Sequence, residues 1–389
     1  MNFSTPEFLT DHAKSILAFY DDKVVDPSGG YFQNFNDDGT LFDLGFKQLV
    51  SSTRIIVNYA RAGRHFDNPE YLTIAKHGLD YLELCHFDAT NQTYAWTLNN
   101  HKVQDNTQQA YGYAFVLLAY AHAYQAGIIS TSEKIHQTFG LLEKRFYLPE
   151  QQIYGDELNP DDTLNDYRGQ NANMHICEAL IACFKATSEP KYLERAFTLA
   201  KMFCNTQAAK TDGLVWEHFK TDLNPDWQYN IDDPKNLYRP WGFQPGHQTE
   251  WAKLLLQLNQ LQPQVWLVDK AKTLFNKAYR YAWDNENGGL VYGFNKQGKW
   301  CDDDKYFWVQ AESIAAASLL LSTSKDRWYQ HCYRQLWQYC WQHMIDHQHG
   351  AWFRVLTVDN IKYSEQKSAA GAKCDYHTLG MCFDILESL

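Results

Sequence analysis

A short turn built from glycine and aromatic residues recurs six times along this chain at nearly even spacing. The turns are Gly29 to Phe32, Thr93 to Trp96, Ile153 to Asp156, Gly213 to Trp216, Gly289 to Tyr292 and Gly350 to Phe353. Measured between Tyr31, Tyr94, Tyr154, Leu214, Leu290 and Ala351, the steps are 63, 60, 60, 76 and 61 residues. Each interval holds helix-period apolar runs sufficient for two helices. A supersecondary unit copied at a fixed period must bury its apolar face on its neighbours. The expected fold is therefore all-α, an (α/α)6 barrel of six helical hairpins with six inner and six outer helices.

The repeat runs almost end to end, and no Pro/Gly/Ser-rich or charged linker interrupts it. Residues 1–389 are expected to form a single domain, although length alone would allow two. Hydrophobic residues make up 45%, enough for a large core. A formal net charge of -11 argues against a nucleic-acid partner, which would call for a basic stripe. No run approaches the 18 or so apolar residues of a membrane span. The first residues lack the basic and apolar regions of a secretory signal. Nine cysteines, scattered and without a C-x-x-C pair, fit reduced and mostly buried thiols in a cytoplasmic protein. Aromatic residues reach 15%; most will fill helix layers, and some are candidates to stack on sugar rings.

Helix boundaries are clearest at Asn68-Pro69-Glu70, where a capping side chain, an N-terminal proline and an early acid coincide. Leu72, Ala75, Leu79 and Leu82 then share one face. Residues 111–124, 173–186, 249–261 and 308–321 are small, aromatic or apolar on almost all sides, as inner helices should be. The 76-residue step owes its surplus to Thr221 to Gly246, a run rich in proline, glycine and aromatics. Such a long loop inside a compact domain is usually functional, and a wall or lid of the site is expected.

Four polar intrusions at the starts of apolar helices are the candidate site. Arg54 enters the run Ile55-Ile56-Val57, either to clamp oxygens through its planar fork or as part of a surface ion pair. Asn171 and His175 are four apart and share a helix face; the alternative is a cap plus a core histidine. Arg239, His247 and Glu250 cluster around rigid Pro and Gly positions, the most site-like stretch in the chain. Asp375 and His377 stand where the last helix should begin. His343, His347 and His349 have partial metal spacing but read better as helix C-terminal histidines. Asp302, Asp303 and Asp304 read as solvated capping acids. No zinc-protease, P-loop, dinucleotide or serine-hydrolase motif is present.

These stretches resemble the N-acylglucosamine 2-epimerase superfamily, sugar epimerases and aldose–ketose isomerases on an (α/α)6 barrel. The resemblance covers most of the chain. It is carried by Arg54, Tyr111 to Phe115, Asn171 to His175, Pro245-Gly246-His247 with Glu250, Trp308 to Glu312 and Asp375-Tyr376-His377. The stretch Tyr238 to Trp251 looks most like the branch of mannose and sulfoquinovose isomerases. The resemblance implies a metal-independent interconversion of D-mannose and D-fructose, with D-lyxose and D-xylulose as related substrates, through ring opening and a cis-enediol. By resemblance His377 is the base at C2, while His247 assists ring opening and handles the second proton. Arg54 and Arg239 would polarise oxygens, Tyr111, Asn171, His175, Glu250 and Glu312 would bind hydroxyls, and Trp308 would pack on the sugar. A monosaccharide is the expected partner, with no cofactor, metal, nucleic acid or membrane; a homo-oligomer is left open. Two bases on opposite faces would instead give a sugar 2-epimerase of mannose/glucose, N-acylglucosamine or cellobiose type. A glycoside hydrolase would need opposed carboxylates, for which Glu250, Glu312 and Asp375 are candidates. A sugar-binding helical ring without catalysis is the remaining alternative.

Overall fold

The computed structural model describes residues 2–389. Among the described residues twelve α-helices follow one another in pairs. The first is α1 (Pro6–Tyr20), followed by the hairpins α2 (Leu49–Phe66) with α3 (Pro69–Tyr81), and α4 (Ala110–Gln125) with α5 (Glu133–Arg145). Next come α6 (Gln170–Thr187) with α7 (Pro190–Ala200) and α8 (Pro245–Leu261) with α9 (Val265–Ala282). The last are α10 (Phe307–Ser324) with α11 (Arg327–Tyr339), then α12 (Tyr376–Leu386). Asn68 caps α3 as its sequence predicts, its Oδ1 accepting from the Glu70 N–H at 2.9 Å. In α4 and α10 nearly every side is buried, which explains why their composition lacks a polar face.

The recurrent turns act as return strands. Phe87 pairs with Tyr94 and Tyr147 with Tyr154, while single bridges join Val25 to Tyr31, Trp283 to Leu290 and Ile345 to Trp352. Each of these turns brings the chain back from the end of a helix. Four turns are also clamped by a side-chain amide that bonds both backbone groups of one residue. Asn173 clamps Tyr154 at 2.8 and 2.9 Å, Gln248 clamps Val215 at 2.8 and 2.8 Å, and Gln310 clamps Leu290 at 2.9 and 2.7 Å. Gln108 does the same for Tyr94 at 3.3 and 3.2 Å. Asn173, Gln248 and Gln310 are each the fourth residue of α6, α8 and α10. An amide carries both a donor and an acceptor, so one buried side chain satisfies two backbone groups that the turn leaves unpaired.

The residues fall into two compact units. One comprises Tyr20–Leu199 and Gln366–Tyr376; the other holds the segments ending at Phe19, Ala200–Glu365 and His377–Leu389. In the first, α2, α4 and α6 pack in series, and α3 and α5 lie against their partners. In the second, α8 packs on α9 and α10, and α10 on α11. There α1 lays Phe8 and His12 on Trp337 of α11, with ring centroids 5.1 and 5.3 Å apart. Each unit has a buried ion pair just before a helix: Lys47 with Asp26 at 2.7 Å, and Lys305 with Asp284 at 2.8 Å. Both ammonium groups also donate to a backbone carbonyl, so neither buried charge depends on its partner alone.

The long loop before α8 has no helix of its own but is closed by side chains. The Trp241 indole N–H donates to the Trp227 carbonyl at 2.9 Å, and Asn230 Nδ2 to the Arg239 carbonyl at 2.7 Å. Lys235 places its ammonium among Asp302, Asp303 and Asp304, at 3.5, 2.8 and 3.3 Å. This corrects the reading of that acidic run as solvated caps. Asp302 and Asp304 are buried, and burial pushes the Asp302 carboxyl up to about 6. The counter-charge is supplied by the loop, from a lysine distant in sequence. Among the C-terminal histidines, His347 donates from Nε2 to the Trp341 carbonyl at 2.6 Å, a backbone contact rather than a ligand role.

Candidate active site

Counted from the first residue of each helix, the candidates occupy a repeated pair of positions. Residues two and six are Tyr111 and Phe115 on α4, Asn171 and His175 on α6, and Trp308 and Glu312 on α10. Arg54 is residue six of α2, Glu250 residue six of α8 and His377 residue two of α12, while His247 is residue three of α8. Residues i and i+4 project from one helix face. The repeat therefore lays two polar or aromatic groups on one face in the first turns of several helices.

In the first unit these positions build an arginine cage. The Arg54 guanidinium lies 4.3 Å from the Phe115 ring centre and 5.1 Å from that of Tyr376, and Nη2 donates to the Tyr111 hydroxyl at 2.9 Å. Aromatic faces hold the planar cation in place. His175 packs on Tyr111 and Phe115, with centroids 5.2 and 4.8 Å away, and its Nδ1 pairs with Glu178 at 2.9 Å. The Tyr376 hydroxyl donates to the other Glu178 oxygen at 2.7 Å. Among the described residues the buried Oδ1 of Asn171 has no hydrogen-bond partner. Asn173, by contrast, faces the backbone as a clamp.

In the second unit, Trp308 lies between two histidines. Its ring centroid is 5.0 Å from that of His247 and 5.6 Å from that of His377. Gly246 makes this placement possible, because a methyl group there would lie 2.4 Å from the indole. His247 Nδ1 meets Glu217 at 2.9 Å, and His377 Nδ1 meets Glu312 at 2.7 Å. Both rings are buried. A carboxylate at Nδ1 holds the proton there and leaves the Nε2 lone pair to act as a base. Glu312 also forms an ion pair with Lys253 at 2.7 Å, so each of its oxygens has a partner within the protein. Glu250 brings a carboxylate oxygen within 4.8 Å of Glu312 and His377. Lys253 sets its ammonium against Glu312 in this group. Back in the first unit, Asp375 is fully buried, held by Lys373 and by the Tyr20 hydroxyl at 2.5 Å, which suits a structural acid.

Arg239 is half-buried on the long loop. Its Nη1 donates to the Tyr229 hydroxyl at 3.1 Å, and the Tyr229 ring packs 4.6 Å from His218, the neighbour of Glu217. Sequence reading missed Glu178, Glu217 and Lys253. Glu178 carried a signal, lying three residues after His175 on the same helix. Glu217 and Lys253 carried none, since each finds its histidine or carboxylate only in the folded chain.

Buried imidazoles held by carboxylates are the kind of group that acid–base chemistry uses, and an indole packs on two of them here. The N-acylglucosamine 2-epimerase family model matches residues 30–381, and the chain belongs to this family, an isomerase class of enzyme. It is 49% identical to a D-mannose isomerase of Marinomonas mediterranea, over 100% of this chain and 98% of that one. It is 31% identical to a D-mannose isomerase of Pseudomonas cannabina pv. alisalensis, over 84% and 81%. A crystal structure of D-mannose isomerase superposes with a TM-score of 0.98 and 49% identity, covering 100% of both chains. The fold class is the all-α (α/α)6 barrel that the turn repeat implies. Among the described residues no helix is long and apolar enough to cross a membrane.

Proposed function

We propose that this protein is a metal-independent aldose–ketose isomerase that interconverts D-mannose and D-fructose. The observation that carries the reading is the pair His247 and His377, each held through Nδ1 by a carboxylate and each packed on the Trp308 indole. The substrate assignment is supported by the 49% identity to a D-mannose isomerase over the whole chain.

The chemistry follows from where protons must move. His247 Nε2 takes the proton from O1 of the pyranose and a proton is delivered to the ring oxygen, so the C1–O5 bond breaks and C1 becomes an aldehyde. The aldehyde acidifies the C2 hydrogen. His377 Nε2 removes it as a proton, and the electron pair forms the C1–C2 double bond of a cis-enediol as O1 is protonated. Loss of the O2 proton re-forms a carbonyl at C2, and protonation at C1 completes the ketose. A neutral imidazole suits these transfers because its ordinary proton affinity lies near neutral pH. By resemblance to the family, Arg54 and Arg239 are assigned the oxygens that become negative in the transition state. Asn171 Oδ1 is an acceptor ready for a sugar hydroxyl. Tyr111, His175 and Glu250 complete hydroxyl binding, and Trp308 packs on the sugar. Glu312 is a positioning residue for His377.

Metal independence fits the charges in place: Lys253 sits on Glu312 and Lys235 on the aspartate trio. The 1–389 chain acts as one domain, since it passes between the two compact units four times. A cytoplasmic setting fits nine cysteines that are all free. The test is incubation with mannose in deuterated water containing EDTA. Fructose should appear with solvent deuterium at C1, and His377→Asn should lower exchange at C2 at least ~10²-fold with the fold retained. Exchange at the wild-type rate in that variant removes His377 as the base. Glucose as the main product from mannose would make the protein an epimerase instead.

A further inference from the structure

The three buried carboxylate–imidazole pairs of the candidate site differ in what stands behind the carboxylate. Behind His175, the far oxygen of Glu178 accepts a neutral tyrosine hydroxyl. Behind His377, the far oxygen of Glu312 meets the ammonium of Lys253 at 2.7 Å. Lys253 projects from α8, is 3% exposed, and lies 3.6 Å from Asp384 of α12. Other charged groups in this corner include Glu250 on α8, near Glu312 and His377, and the His247–Glu217 pair beside Trp308.

A carboxylate beside an imidazole does two separable things. As a hydrogen-bond acceptor it fixes the tautomer, and as a negative charge it stabilises the imidazolium and raises proton affinity. A C2 base needs the first effect, but too much of the second leaves it protonated and idle at neutral pH. An ammonium on the far oxygen cancels most of the charge while leaving the hydrogen bond in place.

We propose that Lys253 is a positioning residue that, by pairing with Glu312, holds His377 in its neutral, base-competent form. This inference rests on the isomerase reading and deepens it. Lys253 itself touches no reacting atom, and its effect reaches substrate only through Glu312 and His377.

The test compares pH–rate profiles of kcat/KM for mannose in wild type, K253M, K253R and K253M/E312Q. In K253M the acid limb should move up by about one pH unit or more, because the Glu312 charge is no longer balanced. The rate at pH 7 then falls at least about 3-fold and recovers near pH 9, while KM changes little. K253R should keep the wild-type limb. K253M/E312Q, which removes both charges, should bring it back. A K253M limb at the wild-type position overturns the proposal, as does a double-variant limb that stays displaced. If K253M does not fold, E312Q is set against K253M/E312Q. The lysine charge beside a neutral amide should lower the E312Q limb, and coincident limbs would reject the idea. The 15N shifts of His377, titrated in the same variants, read proton affinity without turnover. A wild type that isomerises no sugar therefore sinks the functional reading, while this titration alone decides the role of Lys253.

Discussion

Trp308 has room to pack on both His247 and His377 because residue two of α8 is glycine. On α4, α6, α10 and α12 the same position carries tyrosine, asparagine, tryptophan and histidine. At Gly246 even a methyl group would approach the indole to 2.4 Å and Val309 to 2.9 Å. The residue sits beside His247, so the indole must give way for an alanine to fit. Gly246→Ala should displace the Trp308 ring, changing its fluorescence and near-ultraviolet circular dichroism, and lower kcat/KM about 10-fold or more through misplacement of the platform. Helix propensity alone would favour the alanine by up to about 1 kcal/mol, so the melting temperature need not fall with activity. A variant with wild-type kcat/KM and an unmoved indole signal would show that the ring tolerates the methyl group and that Gly246 has no bearing on the site.

At the scale of elements, what joins hairpin to turn is a buried amide. Gln310 bonds both backbone groups of Leu290, and Gln248 and Asn173 do the same one hairpin earlier and two. Replacing Gln310 by leucine keeps the volume but leaves a buried N–H and a buried carbonyl without partners. At about 1–3 kcal/mol per orphaned group, Gln310→Leu should cost roughly 2–6 kcal/mol, read as a lower urea midpoint with an unchanged slope. A loss below 0.5 kcal/mol, the range of ordinary surface changes, would mean that water or a shifted turn satisfies Leu290. The turns that these amides hold were legible because glycine and aromatic residues repeat at even spacing. So were the helices, since Asn68-Pro69-Glu70 states its own boundary and α4 admits no polar face. The candidate site was legible where a polar residue interrupts an apolar helix, as at Arg54, His175 and Glu250. It was illegible where the partner is remote: Glu217 lies 30 residues before His247, and Lys235 lies 68 before Asp303. Such pairings leave no periodic trace, because only the folded backbone brings them together. The aspartate run was misread for the same reason, since its counter-charge stands in another turn of the repeat.

For the whole molecule, burying ionisable groups links stability to pH, and His86 is the clearest case. It is 1% exposed; Nδ1 bonds the Ala95 carbonyl at 2.9 Å and Nε2 lies 3.3 Å from the Ser52 hydroxyl. Burial pushes its pKa down to about 4, the Ala95 bond opposes the shift, and the Lys47 charge adds to it. In the unfolded chain the ring returns to about 6.5. Between those values the unfolded state binds more protons, so stability falls as pH drops from about 6.5 towards 4. Below 4 both states are protonated and the loss levels off. The full span is worth about 3 kcal/mol, of which about 2 kcal/mol is gone by pH 5. Asp26 and Asp284, held low by their buried lysines, add their own loss only at more acid pH, where folded carboxylates begin to protonate. The two windows are therefore separable. Urea unfolding of wild type and His86→Asn at pH 7 and pH 5 isolates the first. The variant should be less stable at pH 7, having lost a fitted ring, yet its decline from pH 7 to pH 5 should be smaller than that of wild type by about 2 kcal/mol. Equal declines would show that His86 takes up its proton in the folded chain as easily as in the unfolded one, and acid sensitivity near neutral pH would then have to come from elsewhere in the core.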